Sequence, residues 1–274
     1  MGGSKITVTD RIAYKIHADR KSAVLYDYLD SVHCFPVAVK GGNGAQAEDF
    51  EGKRCTDFDS GIGTNNMYSG IAELMKNYPE LQGLEDEIRH AVEVVAASFQ
   101  KGGKLLLCGN GGSASDCQHI AGELLKGFAS ERKPGGRRRR DLEDGGVEYS
   151  IINSLQEGLP AIALTGADAL CTAVLNDMEP ALLFAQQVYA LGRAGDVLLA
   201  ISTSGNAENV KNAVKVAKAL GVFTIALSGK GGGWSGENCD CAIIVPANET
   251  YRVQEYHLPI YHAICREVER EFFG

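Results

Sequence analysis

From residue 84 onward the chain alternates between two hydrophobic rhythms. In LEDEIRHAVEVVAASF, the apolar residues Ile88, Ala91, Val92, Val95 and Phe99 recur at helical spacing, which predicts an amphipathic helix with one buried face. The glycine pair at 102–103 stops it. KLLLC (104–108) follows as a short unbroken apolar run, the pattern of a strand covered on both sides. The alternation then repeats. SASDCQHIAGELLKGF reads as a helix, PAIALT (160–165) as a strand, and ALLFAQQVYALG as a helix. VLLAIS (197–202) reads as a strand, followed by the helix NVKNAVKVAKAL with Val210, Ala213, Val214 and Ala217 on one side. FTIALS (223–228) and AIIVP (242–246) are further strands, and a long helix ends near Phe272. Strands alternating with helices across short turns predict an α/β doubly wound domain, with a parallel sheet covered on both faces.

Two segments depart from this rhythm. Residues 1–66 mix apolar patches (AVLYDYL, FPVAVK) with GGNGAQ and DFDSGIGTNN and sustain neither period, so they read as an N-terminal extension preceding a domain at 67–274. Residues 129–158 are polar and glycine-punctuated, with Arg137 to Arg140 consecutive. They read as a solvated surface insertion, a basic flap over an anionic ligand being the alternative.

Composition narrows the class of partner. The net charge of −8 argues against nucleic-acid binding by bulk electrostatics, which usually needs a basic domain. It leaves room for a locally positive pocket. The first residues lack an apolar stretch of signal-peptide length, Ile6 breaks the myristoylation pattern, and no apolar run approaches about 18 residues. The eight cysteines form no CxxC pair and mostly sit in apolar contexts, which is expected of reduced thiols in a cytoplasmic protein.

Open parallel sheets bind ligands at the carboxyl ends of their strands. Two loops there carry the chemistry. In CGNGGSAS, after KLLLC, glycines let a ligand approach the backbone. Ser113 can cap the following helix, with Asp116 completing a capping-box-like S-x-x-D, and the helix N-terminus favours an anion. In STSGN (202–206), after VLLAIS, three hydroxyl residues and a glycine precede a helix, which suits a phosphate. His119 and Glu123, at i and i+4, share one helix face below the first loop. A base there is well placed to act on a carbon chain that the phosphate anchors. The last helix adds Gln254, Glu255, His257 and His262, with Pro259 between them as a source of bending.

CGNGGSASDCQH, the Asn-Asp of VLND (176–177), AGDVLLAISTSGN and RVQEYHLPIYH occur in this order, and together they resemble the sugar isomerase (SIS) domain family, in particular its phosphoheptose isomerases. The resemblance covers residues 67–274. It implies a five-stranded parallel sheet flanked by helices, in a homotetramer with active sites between subunits. It also implies aldose–ketose isomerisation of sedoheptulose 7-phosphate to D-glycero-D-manno-heptose 7-phosphate through an enediol. Carried over by position, substrate contacts fall on Asn110, Gly111, Gly112 and Ser113, on Glu123, on Asn176 and Asp177, and on Gln254. Ser202, Thr203 and Ser204 take the phosphate. A zinc site falls on His119, Glu123, Gln254 and His262, with Glu123 as general base and His262 as general acid. A carboxylate bound tightly to zinc is a weaker base, so ligand and base remain two readings of Glu123. Gln254 and His262 stand eight residues apart, roughly 12 Å along an ideal helix. Typical members carry serine where this chain has Ala207, and the 129–158 segment is longer than in compact bacterial enzymes. The alternatives are an isomerase of another phosphosugar and a non-catalytic relative that senses sugar phosphates or binds a replication initiator. Such regulators lack the catalytic Glu and last His that this chain retains at 123 and 262.

Overall fold

The computed structural model describes residues 68–274 and five short strands nearer the start. Those strands form a two-stranded antiparallel pair, β1 (Ile6–Val8) with β2 (Ile12–Tyr14), and a three-stranded antiparallel sheet, β3 (Ala38–Val39), β4 (Ala45–Glu48) and β5 (Arg54–Phe58). The rest of the extension inferred for residues 1–66 lies outside the described residues. The chain divides into two compact units, Met1–Met67 and Tyr68–Gly274.

In the second unit, five parallel strands build one sheet: β6 (Leu105–Gly109), β7 (Ala161–Ala163), β8 (Val197–Ser202), β9 (Phe223–Ser228) and β10 (Cys241–Ile244), in the order β10-β9-β8-β6-β7. Strand residues alternate between two cores, as a two-residue side-chain period requires. Leu105, Leu107, Leu199, Ile201, Ile225 and Leu227 face one core, with helices α1 (Ser69–Asn77), α2 (Glu85–Gln100), α3 (Gly112–Leu125) and α10 (Thr250–Phe273). Leu106, Cys108, Leu198 and Ala200 face the other, with α7 (Leu183–Leu191) and α8 (Glu208–Ala219). The five apolar positions expected to face inward on α2 and the four on α8 are all buried. The α/β, doubly wound reading therefore holds.

The pattern missed the short helices. Residues 129–158 contain α4 (Gly136–Asp144) and α5 (Tyr149–Ser154), while α6 (Asp168–Asp177) and α9 (Gly233–Asn238) occupy what read as connections. Nor is the whole 129–158 segment a solvated insertion, because Arg132 and Ile152 are fully buried in it. Its arginine run does face solvent, pairing locally: Arg137 with Asp141, Arg138 with Glu157 and Arg139 with Glu143. Helix α10 continues through Pro259, which removes a single interior N–H donor without ending the helix.

Candidate active site

Strand order places the ligand crevice. The chain passes from β6 outward to β7, then returns to β8 on the opposite side of β6, so the order switches between β6 and β8. Loops diverge at such a switch and leave room for a ligand. Gly109, the last residue of β6, is in register with Ile201, next to the last residue of β8. Both candidate loops therefore leave the sheet side by side.

The first loop turns at Gly111, whose φ of 54° favours glycine, and α3 begins at Gly112. This corrects the expected capping box. The glycine turn starts the helix early, so Ser113 is already helical and buried in the first turn and caps nothing. Asp116 instead faces α10, where its Oδ1 accepts from the Tyr261 hydroxyl at 3.4 Å. A Cβ on Gly112 would collide with Nε2 of Gln254, so the absent side chain is what lets Gln254 rest on the turn.

The second loop is held open by its own framework. Gly205 has φ 64°, and a Cβ there would run into the carbonyl oxygen of Gly232. Its own carbonyl accepts from the backbone N–H (2.9 Å) and hydroxyl (3.0 Å) of Ser235. The hydroxyls of Ser202, Thr203 and Ser204 precede the N-terminus of α8, where Ala207 occupies the cap position without a side-chain cap. Asn110 and Asn209 exchange reciprocal amide bonds of 2.9 and 2.8 Å, joining the two loops. Sequence reasoning missed Asn209; its only signal was an amide two residues into the helix that follows the hydroxyl loop.

Helices α3 and α10 run alongside each other, so successive pairs of residues meet at successive depths. Gly112 meets Gln254 at the turn, Asp116 meets Tyr261 below it, and His119 meets Tyr261 and His262 lower still. At that lower level His119 Nε2 lies 3.1 Å from Glu123 Oε1, and His119 Nδ1 lies 3.0 Å from the Tyr261 hydroxyl. The His119 and His262 ring centroids are 5.0 Å apart, and the Phe128 ring packs against His262 at 5.4 Å. The Glu123 side chain is largely enclosed and receives a hydrogen bond of 3.4 Å from Lys126. Tyr261, Lys126 and Phe128 carried no sequence signal, because tyrosine, lysine and phenylalanine are ordinary residues on half-buried helices.

Burial, then the neighbouring His119, holds the His262 imidazole below its ordinary pKa, against an opposing pull from Glu123. It is therefore neutral at pH 7 and can present one N–H as donor and one lone pair as acceptor. Its Nε2 is buried with no hydrogen-bond partner. Burial also pushes the Asp116 carboxyl upward, against the Tyr261 hydrogen bond that lowers it.

The residues fit a zinc ion in kind. His119 Nε2 and Glu123 Oε1 are close enough for one ion to bind both at ordinary lengths of about 2.0–2.2 Å. The unpartnered Nε2 of His262 is the kind of buried polar atom that wants a ligand. Among the described residues, however, no three His, Cys, Asp or Glu side chains already converge as a finished cage. Gln254 sits at the glycine turn, on the upper level, rather than with these three. Asn176 and Asp177 lie exposed at the end of α6, where the Asn176 amide donates to Asp177 at 2.7 Å.

The comparisons with known proteins agree with this geometry. The SIS domain family model matches residues 68–138 and 149–229, passing over the centre of the segment that carries α4. A phosphoheptose isomerase of Clostridium acetobutylicum is 43% identical over 189 residues, covering 69% of this chain and 84% of the relative. One from Campylobacter concisus is 40% identical over 199 residues, covering 73% and 93%. Among solved structures, the phosphoheptose isomerase of Neisseria gonorrhoeae superposes with a TM-score of 0.58 at 34% identity, covering 76% of this chain and 98% of that one. The Francisella tularensis enzyme gives 0.59 at 31% identity, covering 78% and 100%. The sheet order, the paired loops and these likenesses converge: the chain belongs to the SIS domain family, and groups within it with the phosphoheptose isomerases.

Proposed function

We propose that this chain is an aldose–ketose isomerase that interconverts sedoheptulose 7-phosphate and D-glycero-D-manno-heptose 7-phosphate. One observation carries the reading: the hydroxyl-lined loop and the glycine turn leave the sheet side by side, and a histidine–carboxylate pair follows on the helix that the turn begins. His119 is seven residues below Gly112, about 10 Å of helix. An extended seven-carbon sugar phosphate is long enough to keep its phosphate at the loops and its carbonyl near this pair.

In this reading Ser202, Thr203 and Ser204 and the N-terminus of α8 hold the phosphate, helped by the helix dipole. The missing hydroxyl at Ala207 leaves one contact fewer. Asn110, Gly111, Gly112 and Gln254 line the sugar chain, and Ser113 acts only by shaping the turn. Glu123 takes a proton from C1 of the ketose, and the C–H electrons become the C1–C2 double bond of the enediol. The neutral His262 donates its N–H toward the carbonyl oxygen that gains charge. Glu123 then returns the proton to C2 while the C1 hydroxyl gives its own proton to His262, so that O1 becomes the aldehyde carbonyl and both side chains regain their starting state. Lys126 donates to the Glu123 carboxylate from the next turn, at 3.4 Å. His119, Glu123 and His262 are the donors that would hold zinc, which when bound supplies charge to polarise the carbonyl while lowering the basicity of Glu123.

A homotetramer completes the proposal. The exposed apolar side chains Leu170, Leu175, Met178, Leu182 and Tyr189, on and around α6 and α7, are surface that assembly would cover. Asn176 and Asp177 lie exposed on the same helix, where assembly would let them contribute to a neighbouring copy's site. No helix among the described residues is long and apolar enough to cross a membrane. The six described cysteines are all free, which suits the cytoplasm. A panel of phosphorylated ketoses, assayed for isomerisation with and without zinc, tests the activity. Turnover of the seven-carbon substrate is expected; tight binding of sugar phosphates with no turnover of any would leave the non-catalytic reading standing.

A further inference from the structure

The segment following α3 holds an arginine that the chemistry above does not use. Arg132 is fully buried, and its salt-bridge partner Glu269, on α10, is buried as well. Its Nε donates to Glu269 Oε1 at 2.8 Å, Nη1 to the Leu124 carbonyl at 2.7 Å, and Nη2 to the Glu123 carbonyl at 3.1 Å. The Phe273 ring lies 4.9 Å from the guanidinium carbon. Glu269 in turn accepts from the backbone N–H groups of Phe128 (2.8 Å) and Ala129 (2.7 Å). Burial alone would raise the Glu269 carboxyl, yet these N–H groups and the guanidinium hold it below its ordinary range.

This one ion pair therefore reaches both halves of the lower site. The last carbonyls of a helix have no partners inside it. Here two of them, one belonging to Glu123 itself, are taken by a planar fork that fixes direction as well as distance. On the other side, the two N–H bonds to Glu269 fix the backbone at Phe128, whose ring rests on His262. We propose that Arg132 is a positioning residue for isomerisation, its pair with Glu269 setting the last turn of α3 under Glu123 and the Phe128 ring against His262. The proposal rests on the isomerase reading.

A merely structural staple makes a different prediction. Replacing a buried ion pair by apolar side chains of similar volume is often neutral or stabilising, because the desolvation of two charges is avoided. Such a replacement cannot, however, reproduce bonds aimed at particular carbonyls. The double variant R132M/E269L also strips partners from two carbonyls and two N–H groups, so it is expected to fold with a lower melting temperature than the parent while its kcat falls about 100-fold, since a misplacement near 1 Å can cost that much. KM should stay within a few-fold, because the phosphate loops lie on the upper level. Arg132→Lys keeps the charge opposite Glu269 but cannot span both carbonyls, and should lose at least tenfold in kcat with KM unchanged. The His262 ring signals in an NMR spectrum of histidine-labelled protein should shift in both variants as Phe128 moves, a readout that needs no turnover.

A kcat within fivefold of the parent in either folded variant, or unchanged His262 signals, overturns the proposal. Failure of both variants to fold would also overturn it, by making the pair purely structural. A parent that turns over no phosphoketose, while the variants still shift His262, would sink the isomerase reading and leave the positioning geometry intact.

Discussion

His257 gives the account a quantitative test at a residue with no assigned role in catalysis. It lies on α10 with no solvent exposure, and neither ring nitrogen meets a hydrogen-bond partner. Burial drives its pKa from 6.5 down to about 4; the nearby Ser228 backbone offsets only part of that, without reaching hydrogen-bond geometry. The unfolded chain takes up this proton near pH 6.5, and the folded chain only near pH 4. Between those values the unfolded state holds more protons, so stability falls as pH falls. At about 1.4 kcal/mol per pH unit, the full effect is about 3 kcal/mol, present above pH 6.5 and lost towards pH 4. At pH 5 about 2 kcal/mol of it is gone. The perturbation is His257→Leu, which fills similar space and cannot titrate. Urea unfolding of parent and variant at pH 7.5 and 5.0, at one protein concentration, isolates the term from all other titrating groups. The parent should lose about 2 kcal/mol more than the variant between the two conditions. Equal losses would refute the reasoning, by showing that His257 titrates normally or never becomes buried.

Other consequences follow from the same geometry. Gly112→Ala should leave the melting temperature within a few degrees, because the clash falls on the mobile end of Gln254, yet raise KM several-fold as that amide leaves the turn; steady-state kinetics checks this, and an unchanged KM would take Gln254 off the substrate. Gly205→Ala meets both a positive φ and a backbone carbonyl, so it should cost about 2–4 kcal/mol in denaturant unfolding. Tyr261→Phe removes the hydroxyl that links Asp116 to His119. If His119 ligates zinc, competition with a chromophoric chelator should show affinity reduced about 10- to 100-fold, and an unaltered affinity would place the ion elsewhere.

The sheet was legible because strands covered on both faces leave unbroken apolar runs: VLLAIS and FTIALS match β8 and β9 residue for residue. PAIALT shrank to three strand residues at the sheet edge, where half of its pairing is absent. The helices α5 and α9 escaped because six residues hold too few turns for a hydrophobic period to emerge, and α4 and α6 because they bury almost nothing and so carry no apolar face. Spacing and loop chemistry singled out His119, Glu123 and His262, and the fold brings His119 beside each of the other two. What spacing could not show was depth. Gln254 and His262 share a helix, yet one rests on the glycine turn and the other against His119, and only the packing of α10 on α3 decides which residues meet. Nor could composition show Arg132 buried, since a charged residue in a polar segment ordinarily stays in water.

The most direct test of the central claim follows the proton. Parent and Glu123→Gln proteins are incubated with sedoheptulose 7-phosphate in deuterated water, and product and recovered ketose are followed by NMR, with ligand binding measured in parallel. The parent should form the aldose with solvent deuterium at C2, and the variant should bind the ketose but neither convert nor label it. Parental rates in Glu123→Gln, or a parent that binds the ketose without converting it, would contradict the assignment of these residues as an isomerase site with Glu123 as its base.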